Sequence, residues 1–370
     1  MPAGPETDDY RALFLQHTPM IDLRAPAEFA RGAFPGSASL PLMTDEERAQ
    51  VGICYKEQGQ AAAIELGHKL VGGATRTRRL ERWLEFTRAH PQGYLYCWRG
   101  GLRSETVQYW LADAGVDYPR ISGGYKAMRR FLLDELQGSL RRGNFILVSG
   151  KTGTGKTRVI ERLARSVDLE GLANHRGSTF GQMPSPQPAQ IDFENALAIA
   201  LLRLLHAGDA PIFLEDEGRL VGRIALPAEL RDRMSAAPLV LVEESLASRV
   251  EVVLEDYVYD LGRRYALLHG EEGAVLHAQK LQSDLQRIRK RLGGERFALA
   301  SDMLRDAFEQ QWQSGDAGGH RGWIAYLLQN YYDPMYQYQL EQRGGTQLFC
   351  GSRAEVLDWA RGGGGDVAAA

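Results

Sequence analysis

The chain has 370 residues, of which 44% are hydrophobic and 25% charged, too many for one ordinary domain and balanced as in a soluble globular protein rather than a disordered one. No apolar run approaches the roughly 18 residues of a membrane span, and the opening MPAGPETDDYRALFLQ has no basic-then-apolar signal pattern. A formal charge of −3 confines any nucleic-acid surface to a local patch, while three distant cysteines, Cys54, Cys97 and Cys350, argue against a disulfide framework and for a reducing cytoplasm.

The first third alternates short strands and helices. Residues 19–24 read as a strand entering a loop, 25–29 as a helix start, and 32–41 as turn-rich around Pro35-Gly36. Leu80, Trp83, Leu84 and Phe86 mark a helix over 76–89 with a basic opposite face. A strand at 94–96 then ends at Cys97, and Val107, Trp110 and Leu111 mark a helix over 104–114. The basic Arg141-Arg142-Gly143 precedes a fresh start, the apolar strand 145–148, a glycine-rich turn and a helix over 158–164. A helix over 194–206 and strands at 211–214 and 239–242 follow. Strands alternating with helices predict a parallel sheet covered on both faces. Beyond 245 the pattern is helical, with Leu281, Leu285, Ile288 and Leu292 as one apolar stripe. The expected organisation is an α/β chain: a first domain over 1–138, a P-loop domain over 139–245, a helical extension over 246–361 packed on it, and a disordered Gly/Ala-rich tail over 362–370.

Two loops carry chemistry. In Cys97-Trp98-Arg99-Gly100-Gly101-Leu102-Arg103-Ser104, a cysteine sits between strand and helix, where loop amides form an anion-binding nest. That setting, with Arg99 and Arg103 nearby, favours a reactive thiolate. Gly100 and Gly101 permit a tight cradle. The competing reading is a buried structural cysteine beside a flexible turn. The second loop, Gly150-Lys151-Thr152-Gly153-Thr154-Gly155-Lys156-Thr157, matches G-x4-G-K-[ST] between strand and helix. Gly150, Gly153, Thr154 and Gly155 supply main-chain amides to phosphates, Lys156 reaches terminal phosphates, and Thr157 is placed to hold Mg²⁺. Asp216, or else Glu215, closes the strand where such folds keep a metal-orienting acid.

The first loop, with Asp22-Leu23-Arg24, Glu28-Phe29, Gly32 to Ser37 and Leu40-Pro41, resembles a rhodanese domain. That resemblance implies sulfur or selenium handling by Cys97. The span from Cys97 to Arg103 is one residue longer than in the usual sulfurtransferase loop and is similar to dual-specificity phosphatases, so it implies a donor bearing a phosphate group. A rhodanese domain followed by a P-loop domain resembles the tRNA 2-selenouridine synthases across nearly the whole chain. Further segments carry the likeness: Val51 to Gly59, Gly67-His68-Lys69, Ser122 to Lys126, His175 to Gly181, Glu215 to Arg219 and Asn330 to Tyr336.

The resemblance implies replacement of sulfur by selenium at C2 of wobble-position 2-thiouridine. The route passes through S-geranyl-2-thiouridine, with geranyl diphosphate and selenophosphate as co-substrates and no tightly bound cofactor. Cys97 would handle selenium, Arg99, Gly100, Gly101 and Arg103 would hold selenophosphate, and 150–157 would hold the diphosphate. The tRNA anticodon stem-loop is the expected partner, with a transient contact to a selenophosphate-producing enzyme and no membrane. Lys280, Arg287 and Arg291 on the basic helix, with Arg76, Arg78, Arg79 and Arg82, are candidate RNA contacts, although a solvated helix face would look the same. Arg176, Ser178 and Arg219 are candidate substrate contacts whose roles stay open. Three alternatives remain at this level: an ATP-dependent tRNA thiolase, a non-catalytic nucleotide-gated binding protein, and a phosphatase fused to a kinase-like domain.

Overall fold

A computed structural model describes residues 4–341 and 346–362; most of the expected tail, 363–370, lies outside the described residues. Chain contacts divide the protein into two compact units, one of Met1–Ser139 with Ala189–Arg203 and one of Leu140–Pro188 with the chain from Leu204 onward.

The first unit is built on five short parallel strands: β1 (Glu6–Thr7), β2 (Met20–Asp22), β3 (Ser37–Ser39), β4 (Tyr94–Tyr96) and β5 (Arg120–Ile121), in spatial order β1-β5-β4-β2-β3. Ile21, Leu23, Leu95, Val107 and Leu111 are fully buried in its core with Trp83. The turn-rich stretch after Gly32 contributes the edge strand β3, whose three residues are only half-buried. Residues 189–203 join this unit through Asp192, whose carboxylate accepts from Ala33 N at 2.6 Å, and Asn195, which donates to Ala33 O at 2.7 Å.

The second unit holds β6 (Phe145–Ser149), β7 (Ser166–Val167), β8 (Ile212–Glu215), a small hairpin of β9 (Leu220–Val221) and β10 (Ile224–Ala225), β11 (Leu239–Val242) and β12 (Gln347–Gly351). The main sheet runs β12-β11-β6-β8-β7, all parallel. β6, β8 and β11 are buried along their whole length, which is why they read as unbroken apolar runs rather than alternations. The helical segment after β11 has its own core of Leu281, Leu285, Ile288, Leu304, Phe308 and Trp323. It is interrupted by two π-helical turns, Glu255–Asp260 and Leu328–Tyr332. The expected helical extension therefore does not run unbroken to 361: β12 returns to the sheet, because Leu239 to Val242 would otherwise present an open ladder.

Candidate functional site

In the first unit, β4 delivers Cys97 to the start of the helix Leu102–Asp113. Cys97 is 3% exposed; its Sγ lies 3.3 Å from Ser104 Oγ and 3.9 Å from Gly101 O. Gly100 has φ of +68°, and a β-carbon there would come within 2.7 Å of Ile121 O and 2.8 Å of Gly123 N. The Ser122-Gly123-Gly124 turn therefore packs directly on the cysteine loop, and only glycine lets the two backbones approach so closely. Tyr125 N and Lys126 N complete the join by donating to Cys97 O and Trp98 O.

Beneath the loop lies a buried ionic floor. Arg24 Nη2 donates to Asp22 Oδ2 at 2.6 Å and to Gly32 O at 2.7 Å, and Tyr96 Oη donates to Asp22 at 2.8 Å. The Arg24 guanidinium lies 3.6 Å over the Tyr125 ring, on which Trp98 stacks. Of the two loop arginines, Arg99 points to solvent. Arg103 donates to Glu28 Oε2 at 2.8 Å, beside Arg48 at 3.1 Å. Burial alone would raise the Glu28 carboxyl, but the hydrogen bond and charge of Arg103 hold it below its ordinary range.

In the second unit, the P-loop bridges β6 and the short helix Lys156–Ile160, which stops earlier than the expected 158–164. Around it opens a cleft of about 910 Å³, lined among others by Gly150, Gly153, Gly155, Lys156, Thr157, Asp216, Arg176, Ser178 and Arg291. Lys156 Nζ donates to Gly150 O at 2.8 Å, an intraloop bond that incoming phosphate oxygens can replace. Thr154 is 1% exposed, and its amide at 3.2 Å and its hydroxyl at 2.9 Å both donate to Lys151 O inside the turn.

The acids of this cleft form a group. Ser149 Oγ donates to Asp216 Oδ2 at 2.5 Å, Thr157 Oγ1 donates to Glu170 Oε2 at 3.0 Å, and Glu170 and Glu217 hydrogen-bond one another. Burial pushes Glu170, Glu215 and Glu217 up. The charge of Glu170 adds to the rise at Glu215 and Glu217, and Lys156 opposes it at Glu170 and Glu217. Glu217 reaches about 8. Such hydroxyl and carboxylate oxygens suit a hard cation. Among the described residues, however, no three His, Cys, Asp or Glu side chains form a metal cage. The fit is to Mg²⁺ held by one or two protein oxygens and completed by ligand phosphates and water.

The chain can now be set beside known proteins. Residues 143–363 match the family model described as the tRNA 2-selenouridine synthase AAA domain. A tRNA 2-selenouridine synthase of Marinobacter nauticus is 52% identical over 98% of this chain and 99% of its own. That of Pseudomonas syringae pv. syringae is 54% identical over 96% and 97%. The chain belongs to the tRNA 2-selenouridine synthase family. As a member of that family it is a transferase.

The remaining expected residues of this selenouridine synthase family member divide sharply. Arg176 is held by Asp256 at 3.1 Å and Asp260 at 2.7 Å, and Ser178 shares a 2.7 Å hydrogen bond with Tyr257 Oη. Both are thus fixed in the cleft wall by the first π-helical turn, the kind of irregularity often found at functional sites. Arg219 is exposed and does not line the cleft. Lys280 corrects the expected RNA surface. Its ammonium donates to Phe180 O at 2.6 Å and to Asp284, leaving the side chain 10% exposed, because the apolar stripe of its helix draws that face into the core. Arg287 stays 54% exposed and Arg291 opens on the cleft. In the other unit Arg79 is likewise committed, to Leu42 O and Glu47, and Arg76 pairs with Asp113; Arg78 and Arg82 are exposed.

Four residues escaped the sequence reading. Glu170 has no motif to announce it. Arg249 donates to Thr152 O and to Asp333. Arg353 donates to Glu244 at 3.0 Å and Ser248 at 2.7 Å, and its side chain lies against Gly155. Tyr257 sits within a helical stripe that looks like ordinary core. No helix among the described residues is long and apolar enough to cross a membrane.

Proposed function

We propose that this enzyme replaces sulfur by selenium in wobble-position 2-thiouridine of tRNA in the cytoplasm, through an S-geranyl intermediate. The reading is carried by one observation: full-length likeness to tRNA 2-selenouridine synthases in a chain that keeps both the Cys97 loop and the P-loop. The first unit is read as a rhodanese-like domain, supported by the strand–Cys97–helix placement and by its buried Asp22–Arg24 floor.

The chemistry divides between the loops. In the first step the thiouridine sulfur attacks C1 of geranyl diphosphate, the C1–O bond breaks, and diphosphate leaves. Loop amides of 150–157 and the Lys156 ammonium are suited to the charge gathering on that leaving group. Mg²⁺ held by Thr157 and Asp216 would supply further charge stabilisation when bound. In the second step the Cys97 thiolate attacks phosphorus of selenophosphate, the P–Se bond breaks and hydroselenide leaves, and water then cleaves the S–P bond to release phosphate and restore Cys97. Selenium adds to C2, the C2–S bond breaks, and geranylthiol departs with a proton. Alkylation makes the sulfur a better leaving group than a free thiocarbonyl. Arg99, Gly100, Gly101 and Arg103 are read as the selenophosphate cradle, with Arg103 exchanging Glu28 for the donor. A selenophosphate-producing enzyme is its natural transient partner. Arg287 and Arg291 would contact the RNA backbone, while the target base is splayed out of its loop.

Mass analysis of nucleosides tests the reading, after incubation of the protein with thiolated tRNA, geranyl diphosphate and selenophosphate. Geranylated and then selenium-bearing uridine is the expected sequence of products. Sulfur insertion into unmodified tRNA at the expense of ATP would instead establish a thiolase.

A further inference from the structure

The unit that carries Cys97 has a second concavity, which the reading above leaves unused. The long helical stretch Asp45–Leu70 breaks at Gly59, with φ of +84° and ψ of −176°, a conformation natural to glycine alone. The halves on either side turn towards one another, and Gly67 of the second lies against Met43 and Val51. Between the halves and the first turn of the helix Leu102–Asp113 runs a groove of about 550 Å³, a size typical of small-ligand sites.

Its wall is apolar, made by Leu42, Val51, Ile53, Ala63, Ile64 and Leu102. Ile53 and Leu102 are 55% and 44% exposed, so this is apolar surface left to water. The rim carries Arg48, Lys56, His68 and Arg103. An apolar floor beneath a basic rim suits a hydrocarbon attached to a polyanion better than it suits another protein. One end of the groove is continuous with the cysteine loop. Leu102 and Arg103 follow directly on Gly101, whose carbonyl faces Cys97 Sγ.

Resting on the reading above, we propose that this groove holds the ten-carbon prenyl chain of the S-geranylated nucleoside, with C2 presented to the Cys97 loop. The chain anchors the nucleoside, and Arg48 and Lys56 of the rim receive the flanking RNA phosphates while Arg103 serves selenophosphate.

The test compares full-length wild type with Ile64→Glu and Ala63→Leu, using stem-loop RNA bearing S-geranyl- or S-dimethylallyl-2-thiouridine. Wild type should bind the geranyl form at least about tenfold more tightly, since each methylene withdrawn from water changes affinity roughly fourfold. Ile64→Glu should abolish that discrimination, the loss falling on KM rather than kcat, with circular dichroism unaltered. Ala63→Leu, which adds bulk to the groove wall at a residue 4% exposed, should shift preference towards the five-carbon chain, again with circular dichroism unaltered. Equal discrimination in wild type and both variants would overturn the proposal. So would a changed oligomeric state of Ile64→Glu with discrimination intact, which would assign the groove to a second copy of the chain. If wild type fails to selenate S-geranyl RNA at all, the function proposed above fails; if all three proteins use it equally well, the groove assignment alone fails.

Discussion

Arg249 grips the Asp333 carboxylate with two N–H groups, at 3.0 and 2.5 Å, while its Nε donates to the Thr152 carbonyl inside the P-loop at 2.9 Å. Asp333 opens the helix after the second π-helical turn, so the helical segment braces the phosphate loop from behind. The Asn330 to Tyr336 segment, which sequence offered only as a likeness, thereby acquires a physical role.

Asp333→Ala should leave a guanidinium that is 4% exposed without its carboxylate, bonded among the described residues only through Nε to Thr152 O. Breaking a buried pair in this way costs about 3–5 kcal/mol. The expected outcome is a lower unfolding midpoint in thermal denaturation and weaker binding of inorganic diphosphate. An unchanged midpoint would mean that Arg249 finds another acceptor.

Cys97→Ser should abolish selenium incorporation and leave tRNA affinity near wild type, because the thiol is buried, with Ser104 and Gly101 as its polar neighbours, and its proposed role is chemical. Nucleoside mass analysis and a filter-binding assay separate the two effects. Selenouridine at wild-type levels from the serine variant would remove Cys97 from the mechanism.

Lys156→Ala should stop geranylation while selenation of previously geranylated tRNA continues, since its Nζ lies within the second unit's cleft, bonded to Gly150 O and acting on Glu170 and Glu217. Single-turnover assays on the two substrates measure this directly. Normal geranylation by the variant, or turnover that requires ATP hydrolysis, would defeat the assignment of one step to each loop.

Glu217 makes stability depend on pH. Its folded value, about 8, lies above that of an exposed carboxyl, so the folded state holds a proton that the unfolded state releases. This contribution is complete below the unfolded value, near 4.5, and is lost as pH rises towards 8, by at most about 1.4 kcal/mol per pH unit. Unfolding midpoints of the ligand-free protein should therefore fall between pH 5 and 8, and Glu217→Gln should flatten the decline. Parallel curves for the two proteins would show that Glu170 and Glu215 carry the effect.

Replacing Arg287 and Arg291 together by Gln should weaken tRNA binding and flatten its salt dependence, lowering the log–log slope by about 1.5 for two phosphate contacts. A steeply salt-dependent affinity that survives unaltered would move the RNA surface to Arg78 and Arg82.

Both loops were legible because each sits where an apolar strand meets glycine: 145–149 before the P-loop and 94–96 before Cys97. Such runs have few alternatives to a buried parallel strand. β12 was not legible. Gln347 to Gly351 is only partly buried, so its membership of the sheet is decided by pairing with Leu239 to Val242, not by its own pattern. Lys280 misled for the opposite reason: a lysine on a basic helix reads as exposed, and only the tertiary position of Phe180 O and Asp284 turns it inward. Glu170 meets Thr157 across 13 residues and Glu215 across 45, and Arg249 meets Thr152 across 97, distances across which local periodicity is silent.

The return of β12 sets an order of events during synthesis. The phosphate loop leaves the ribosome early, whereas β12 and the adjoining Arg353, which lies against Gly155 and ties back to Glu244 and Ser248, are made only after the whole helical segment. A nascent chain halted anywhere before Gln347 exposes the edge of β11 and carries a phosphate loop without its last support. The phosphate loop and the strand that completes its sheet are thus made at opposite ends of this unit's synthesis, and the sheet closes only when both are present.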